Sequence, residues 1–263
     1  MIIYKSEEEI RAIRAASQIV AEVLTELKSE IRPGITTNQL DNFAESMAKE
    51  KGAKPAFKGY RGYPASLCTS INEEIVHGIP SDRNLQDGDI ISLDFGVILD
   101  GYYGDAAVTY PVGNIKPKAG KIIKVVEESL YKGLEQVKEG NRISDISAAI
   151  QKYVEANGFS IIRNFVGHGI GSSLHEEPQI PNFGTPGHGP KIKSGMAFAI
   201  EPMIAAGDWY VDILADDWTA VTRDKSLSAH YEHTVAVTKK GMEILSLNKE
   251  KSKLAQIEER KHA

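Results

Sequence analysis

The sequence predicts an α+β fold built from two similar halves, and three observations carry that reading. First, a pair of helical patterns occurs twice, and each pair is followed by short strand-like runs with glycine and proline turns. Second, glycines eighteen residues apart bracket the second helix of each pair, Gly34 to Gly52 and Gly140 to Gly158. Third, residues 89–113 read DIISLDFGVILDGYYGDAAVTYPVG, two apolar runs around Asp100-Gly101, which is a strong two-residue hairpin signal. Residue identity between the halves is low, so the repeat is one of pattern. No linker rich in Pro, Ser or Gly separates the halves. The chain is therefore read as one domain over 1–248, with halves at roughly 6–115 and 116–248 and a seam that can hold a site.

The elements follow in order. Ser6 and Glu9 have capping-box spacing, and Ile10, Ile13, Val20, Leu24 and Leu27 continue at helical intervals. This helix stops before Arg32-Pro33-Gly34, because proline disfavours helix in the residue before it. A second helix starts near Thr36, where Gln39 completes another capping box, and ends at Gly52. In the second half a helix spans about 120–139, breaks at Gly140, and a partner runs from about Ser144 to Asn157. The charged tail, 249–263, ends in a short, frayed helix.

Composition narrows the function. Of the 263 residues 41% are apolar and 25% charged, as in ordinary globular proteins. No apolar run is long enough to span a membrane, and the first residues carry no signal-peptide pattern. The single cysteine, Cys68, excludes an internal disulfide and fits a reducing compartment, so the chain reads as cytoplasmic. A net charge of −5 argues against a specific nucleic-acid site.

The chemistry lies in acids that interrupt apolar strands. With the turn at Asp100-Gly101, Asp94 stands opposite Ala107, and Asp105 shares its face as a diagonal neighbour, Cα atoms ~7–8 Å apart. The pair either faces solvent or holds a cation; this stretch alone leaves both open. Glu201 closes the apolar run GMAFAIEPM (195–203), and Pro202 keeps it extended. Taken alone it reads as a strand-end glutamate reaching water. Glu232 opens the strand of HYEHTVAVT (230–238); beside it His230 and His233 read either as surface residues or, for His233, as a residue that orients a ligand. In FVGHGIG (165–171), three glycines at ~1 kcal/mol each oppose a helix, so His168 sits on an extended, close-approach segment. Together four carboxylates and an imidazole suit a pair of divalent ions such as manganese, iron(II), cobalt or zinc better than a structural zinc.

Several motifs in this order and spacing carry a resemblance: Arg61-Gly-Tyr-Pro64, SINEEIVHGIP (70–80), the two-aspartate hairpin, FVGHGIG, LHEEPQIPN (174–182), AIEPM (199–203) and YEHTVAVT (231–238). Over roughly residues 3–248 the chain resembles the type I methionine aminopeptidases of the pita-bread fold. That likeness implies two pseudo-symmetric α+β halves around a curved antiparallel sheet, with helices on its outer face. Glu201 follows His168 by only 33 positions, which leaves no room for the helical insertion of type II enzymes. With no N-terminal extension, the chain looks like the short bacterial form.

The resemblance implies five metal ligands, Asp94, Asp105, His168, Glu201 and Glu232, with Asp105 and Glu232 bridging two ions. It places His77 and His175 at the substrate, and Phe57, Tyr60, Tyr63, Cys68, Leu174 and Trp218 around the methionine pocket. It gives Glu201 the proton of the attacking water, His175 the developing oxyanion and His77 the scissile amide. A ring-lined pocket with a soft sulfur suits an unbranched thioether. Leu174 stands where the family often has phenylalanine, Phe57 where it can have cysteine, and His230 where glutamine is common. Implied partners are nascent N-terminal peptides and, transiently, the ribosome, met by a monomer. A prolidase or aminopeptidase P type is the nearest rival, but those enzymes carry a further N-terminal domain. A catalytically dead relative that binds partners or RNA should have lost ligands, and all five are present.

Overall fold

Two capping boxes start the first two helices in the computed structural model, which describes residues 1–248. In α1 (Glu7–Glu30) the Ser6 N–H donates to Glu9 Oε2 at 2.7 Å, and Glu9 N–H donates to Ser6 Oγ at 3.2 Å. In α2 (Thr37–Glu50) Thr36 and Gln39 make the same exchange at 2.9 and 3.2 Å. The second half supplies α3 (Pro117–Leu134) and α4 (Ile143–Ala156). All four bracketing glycines adopt left-handed backbone, with φ of 89° and 76° at Gly34 and Gly52 and 96° and 82° at Gly140 and Gly158. Isolated bridges Thr36–Asn84 and Arg142–Lys191 then stand two residues after the first glycine of each pair. The repeat read from glycine spacing is thus a repeat of backbone conformation.

The sequence misplaces α3. It starts at Pro117, whose fixed φ and missing N–H suit a first helical position, and not at Gly120. It ends at Leu134, ahead of the expected Glu139, because tight turns follow, with Gln136 N–H on Gly133 O and Val137 N–H on Leu134 O. The tail, for which the sequence predicts a short helix, lies outside the described residues.

Ile90–Leu99 is the central strand of the first sheet. Tyr102–Pro111 pairs along one edge, and Leu67–Ile71 and Lys54–Pro55 along the other, all antiparallel. The hairpin register is the expected one, with Asp94 opposite Ala107 and left-handed Asp100 and Gly101 at the turn. The second sheet runs, in spatial order, Gly241–Ile244, His233–Thr238, Ala197–Ile200, Val166–Gly169 and Glu176–Pro181. Two three-stranded sheets complete the curve, one of which joins Glu74–Val76 of the first half to Ala220–Thr222 of the second. Each half packs its own core. Val20, Leu40, Leu67 and Phe95 meet in one, and Ile122, Ile146, Phe198 and Val235 in the other.

The seam is stitched by polar contacts from Tyr102–Pro111 to residues 230–234. Thr109 Oγ1 donates to His230 O at 2.8 Å, Glu232 N–H donates to Ala107 O at 2.8 Å, and Thr234 Oγ1 donates to Asp105 O at 2.7 Å. On its outer side the same strand lies against α1 at Gly104, where a Cβ would fall 2.6 Å from Ser17 Cα and 2.7 Å from the Ala16 carbonyl carbon. Gly104→Ala is expected to destabilise the chain by about 1–3 kcal/mol through overpacking. An unchanged urea midpoint would show that α1 can shift freely. Among the described residues no helix is long and apolar enough to cross a membrane.

Candidate metal centre

The two sheets present five groups to one place by the same device. On the hairpin, Asp94 faces Ala107 while Asp105 faces Gly96, so the two aspartates are diagonal on one face. In the second sheet His168 pairs with Ala199, two residues before Glu201, which puts His168 and Glu201 in a matching diagonal. Ile200 pairs with His233, so Glu201 and Glu232 stand one step beyond the end of that ladder. Glu232 is then held to the hairpin through Ala107 O, directly opposite Asp94.

Glycines make this approach feasible. A Cβ at Gly167 would lie 2.5 Å from Ala199 O, and one at Gly169 would collide with the Glu177 carbonyl. The segment is a strand, Val166–Gly169, with neighbours on both edges, as the glycine argument expects.

The cluster is buried and short of positive charge. Asp94 is 9% exposed, Asp105 4% and Glu232 2%. Asp94 Oδ1, Asp105 Oδ1 and Glu232 Oε1 are fully enclosed and accept no hydrogen bond. Burial, only partly offset by a hydrogen bond from Asp105, pushes Asp94 up to about 7. Burial first, then the neighbouring carboxylates, lift Asp105, Glu201 and Glu232 well above the usual carboxylate range. Such a group demands either protons or cations. The His168 Nδ1 lies 2.9 Å from Gly169 O, an acceptor, so Nδ1 carries the proton. Nε2 is left as a lone pair 3.5 Å from Glu201 Oε1. Burial drives His168 down to about 3, which keeps the ring neutral. Ligand atoms of Asp105, His168 and Glu232 all lie within 4.8 Å of one another. Orphaned oxygens, a lone pair and this spacing fit divalent cations.

The same cavity has an apolar end, lined by Phe57, Tyr60, Tyr63, Cys68, Leu174 and Trp218. Trp218 meets Tyr63 edge-on with centroids 5.1 Å apart. His77 and His175 stand in this cavity too. His175 Nδ1 is 2.8 Å from the Tyr60 hydroxyl, and its ring centroid is 4.3 Å from that of His168. Burial lowers His175 to about 4, helped by the Arg61 charge, and burial lowers His77 to about 4, helped by His175. All thirteen residues singled out from the sequence therefore meet in one cavity.

Some placements were not legible. Arg61 and Val76 also line the cavity. In the sequence both are motif letters without a role, Arg61 in Arg61-Gly-Tyr-Pro64 and Val76 in SINEEIVHGIP. His230 and His233 are buried, not on the surface. His233 turns its Nδ1 to Ser246 Oγ at 2.8 Å and orients none of the acids. Glu176 pairs with Lys5 and does not line the cavity.

The profile of "Metallopeptidase family M24" matches residues 11–239. The Methionine aminopeptidase 1 of Bacillus subtilis (strain 168) is 55% identical over 246 residues, 94% of this chain and 99% of that protein. A methionine aminopeptidase of Clostridium perfringens is 54% identical, over 95% of this chain and all of the relative. The crystal structure of methionine aminopeptidase from Rickettsia prowazekii superposes with a TM-score of 0.93 at 43% identity, covering 94% of this chain and 100% of that one. This pita-bread chain, with a cation-hungry acid cluster at its seam, belongs to the methionine aminopeptidases of metallopeptidase family M24.

Proposed function

We propose that the chain removes N-terminal methionine from peptides and nascent proteins, using two divalent ions, Co, Mn, Fe(II) or Zn, held by Asp94, Asp105, His168, Glu201 and Glu232. Asp105 and Glu232, whose enclosed oxygens have no partner, would be the two carboxylates shared between the ions. The observation that carries this is the set of enclosed, unpartnered carboxylate oxygens beside an apolar, ring-lined pocket. Bound ions supply Lewis-acid polarisation of the scissile carbonyl and a lowered pKa for water. Glu201, ionised once cations are bound beside it, would accept the proton that the attacking water gives up. His175 donates to the developing oxyanion. A Tyr60 hydroxyl that donates to its Nδ1 leaves the ring proton on Nε2, the other nitrogen of a neutral imidazole. His77 contacts the scissile amide. Phe57, Tyr60, Tyr63, Cys68, Leu174 and Trp218 enclose the methionine side chain, whose sulfur is well matched to aromatic edges.

The same reading makes residues 1–248 one catalytic domain with halves at roughly 6–115 and 116–248. It further makes the chain a cytoplasmic monomer that meets nascent chains with transient ribosome contact. The test is a matrix of metals against peptides. Met-Ala-Ser peptides should lose methionine with at least one of the four metals, while Xaa-Pro peptides stay intact. Cleavage of Xaa-Pro alone would favour a prolidase, and no cleavage with any metal a non-enzyme.

A further inference from the structure

Lys5 lies two residues before α1, in a stretch where chain ends usually fray. Here it is 7% exposed. Its N–H donates to Gly195 O at 2.6 Å, and its ammonium donates to Ile3 O at 3.3 Å and pairs with Glu176 Oε2. The other carboxylate oxygen, Oε1, accepts the Ser173 N–H at 3.2 Å. Gly171 allows this packing, since a Cβ there would lie 2.6 Å from Glu176 Oε1 and 2.8 Å from Lys5 Nζ. Gly171 O in turn accepts the Tyr103 N–H at 2.9 Å. The loop 171–175 is thus tied at one end to the hairpin and at the other to the N-terminal segment. Its last residue is His175.

A buried ion pair contributes little net stability, because desolvation offsets the attraction. What this pair does supply is direction: it fixes the backbone that aims the neighbouring imidazole. We propose that Lys5 and Glu176 are positioning residues for His175, holding its ring where it meets the scissile carbonyl. This rests on the role given to His175 above. The N-terminal segment then belongs to the catalytic apparatus, although it touches no substrate.

The test is steady-state kinetics on Met-Ala-Ser, per folded and metal-loaded chain, for Lys5→Met and Lys5→Arg, with Lys5→Met repeated in a His175→Ala background. A misaimed group costs ~10-fold or more in rate. Lys5→Met is therefore expected to lower kcat about tenfold or more, with KM within about threefold and metal content unchanged. Lys5→Arg, which keeps the charge, should recover most of the loss. In the His175→Ala background Lys5→Met should cost nothing further, because the pair acts through that ring. If Lys5→Met does not fold, Glu176→Gln carries the same expectations. Unchanged kcat, or the same factor lost with and without His175, would overturn the proposal. Full turnover in His175→Ala alone would instead overturn the role of His175, and the positioning role with it.

Discussion

Asp105→Asn is expected to leave the chain with little bound metal and to lower kcat/KM by more than the roughly 10–100-fold that follows loss of a group which only orients a ligand. Asp105 belongs to the group of ligand atoms within 4.8 Å and has an enclosed oxygen with no partner. An amide offers one neutral acceptor in place of a charge, so a cation held there would lose a charged partner. The metal-free variant should be at least as stable as the metal-free parent. The folded chain crowds buried carboxylates, and removing one relieves desolvation and repulsion together. Elemental analysis, peptide assays and thermal melts of the two metal-free chains check all three outcomes. A variant that retained its metal and its turnover would remove Asp105 from the centre.

His175→Ala separates binding of metal from catalysis. Turnover should fall ~10²–10³-fold, the cost of losing one donor to a developing oxyanion. Metal content should stay nearly unchanged, because this ring is engaged by the Tyr60 hydroxyl and lies outside the group of close ligand atoms. Loss of metal in this variant would refute the division of labour between the two histidines of FVGHGIGSSLHEEP. Parallel measurement of ion content and kcat decides it.

Much of this architecture is written locally. Capping boxes at Ser6 and Thr36, left-handed glycines and the Asp100-Gly101 turn each act within a few residues, so the sequence displays them. The turn alone settles that Asp94 and Asp105 share a face. The meeting of acids in the second sheet is different. That Glu201 meets Glu232 depends on the register of Ile200 with His233, a pairing between strands far apart in the chain. The motifs suggested it through resemblance, while local pattern alone could not. The Lys5–Glu176 pair joins residues 171 apart, and nothing near either one announces it. The burial of His230 and His233 was hidden for the same reason, since the covering elements come from elsewhere in the chain. The start of α3 is a simpler case, because Pro117 itself is the first helical residue.

We propose that five side chains from the two halves hold two ions between them. Titrating the metal-free chain with Mn²⁺ or Co²⁺, with calorimetry and elemental analysis on the same samples, tests it most directly. Two ions per parent chain are expected, with both lost from an Asp94→Asn/Asp105→Asn double variant that still folds. A parent that takes up no ion, or a double variant that binds both ions as tightly as the parent, would contradict it.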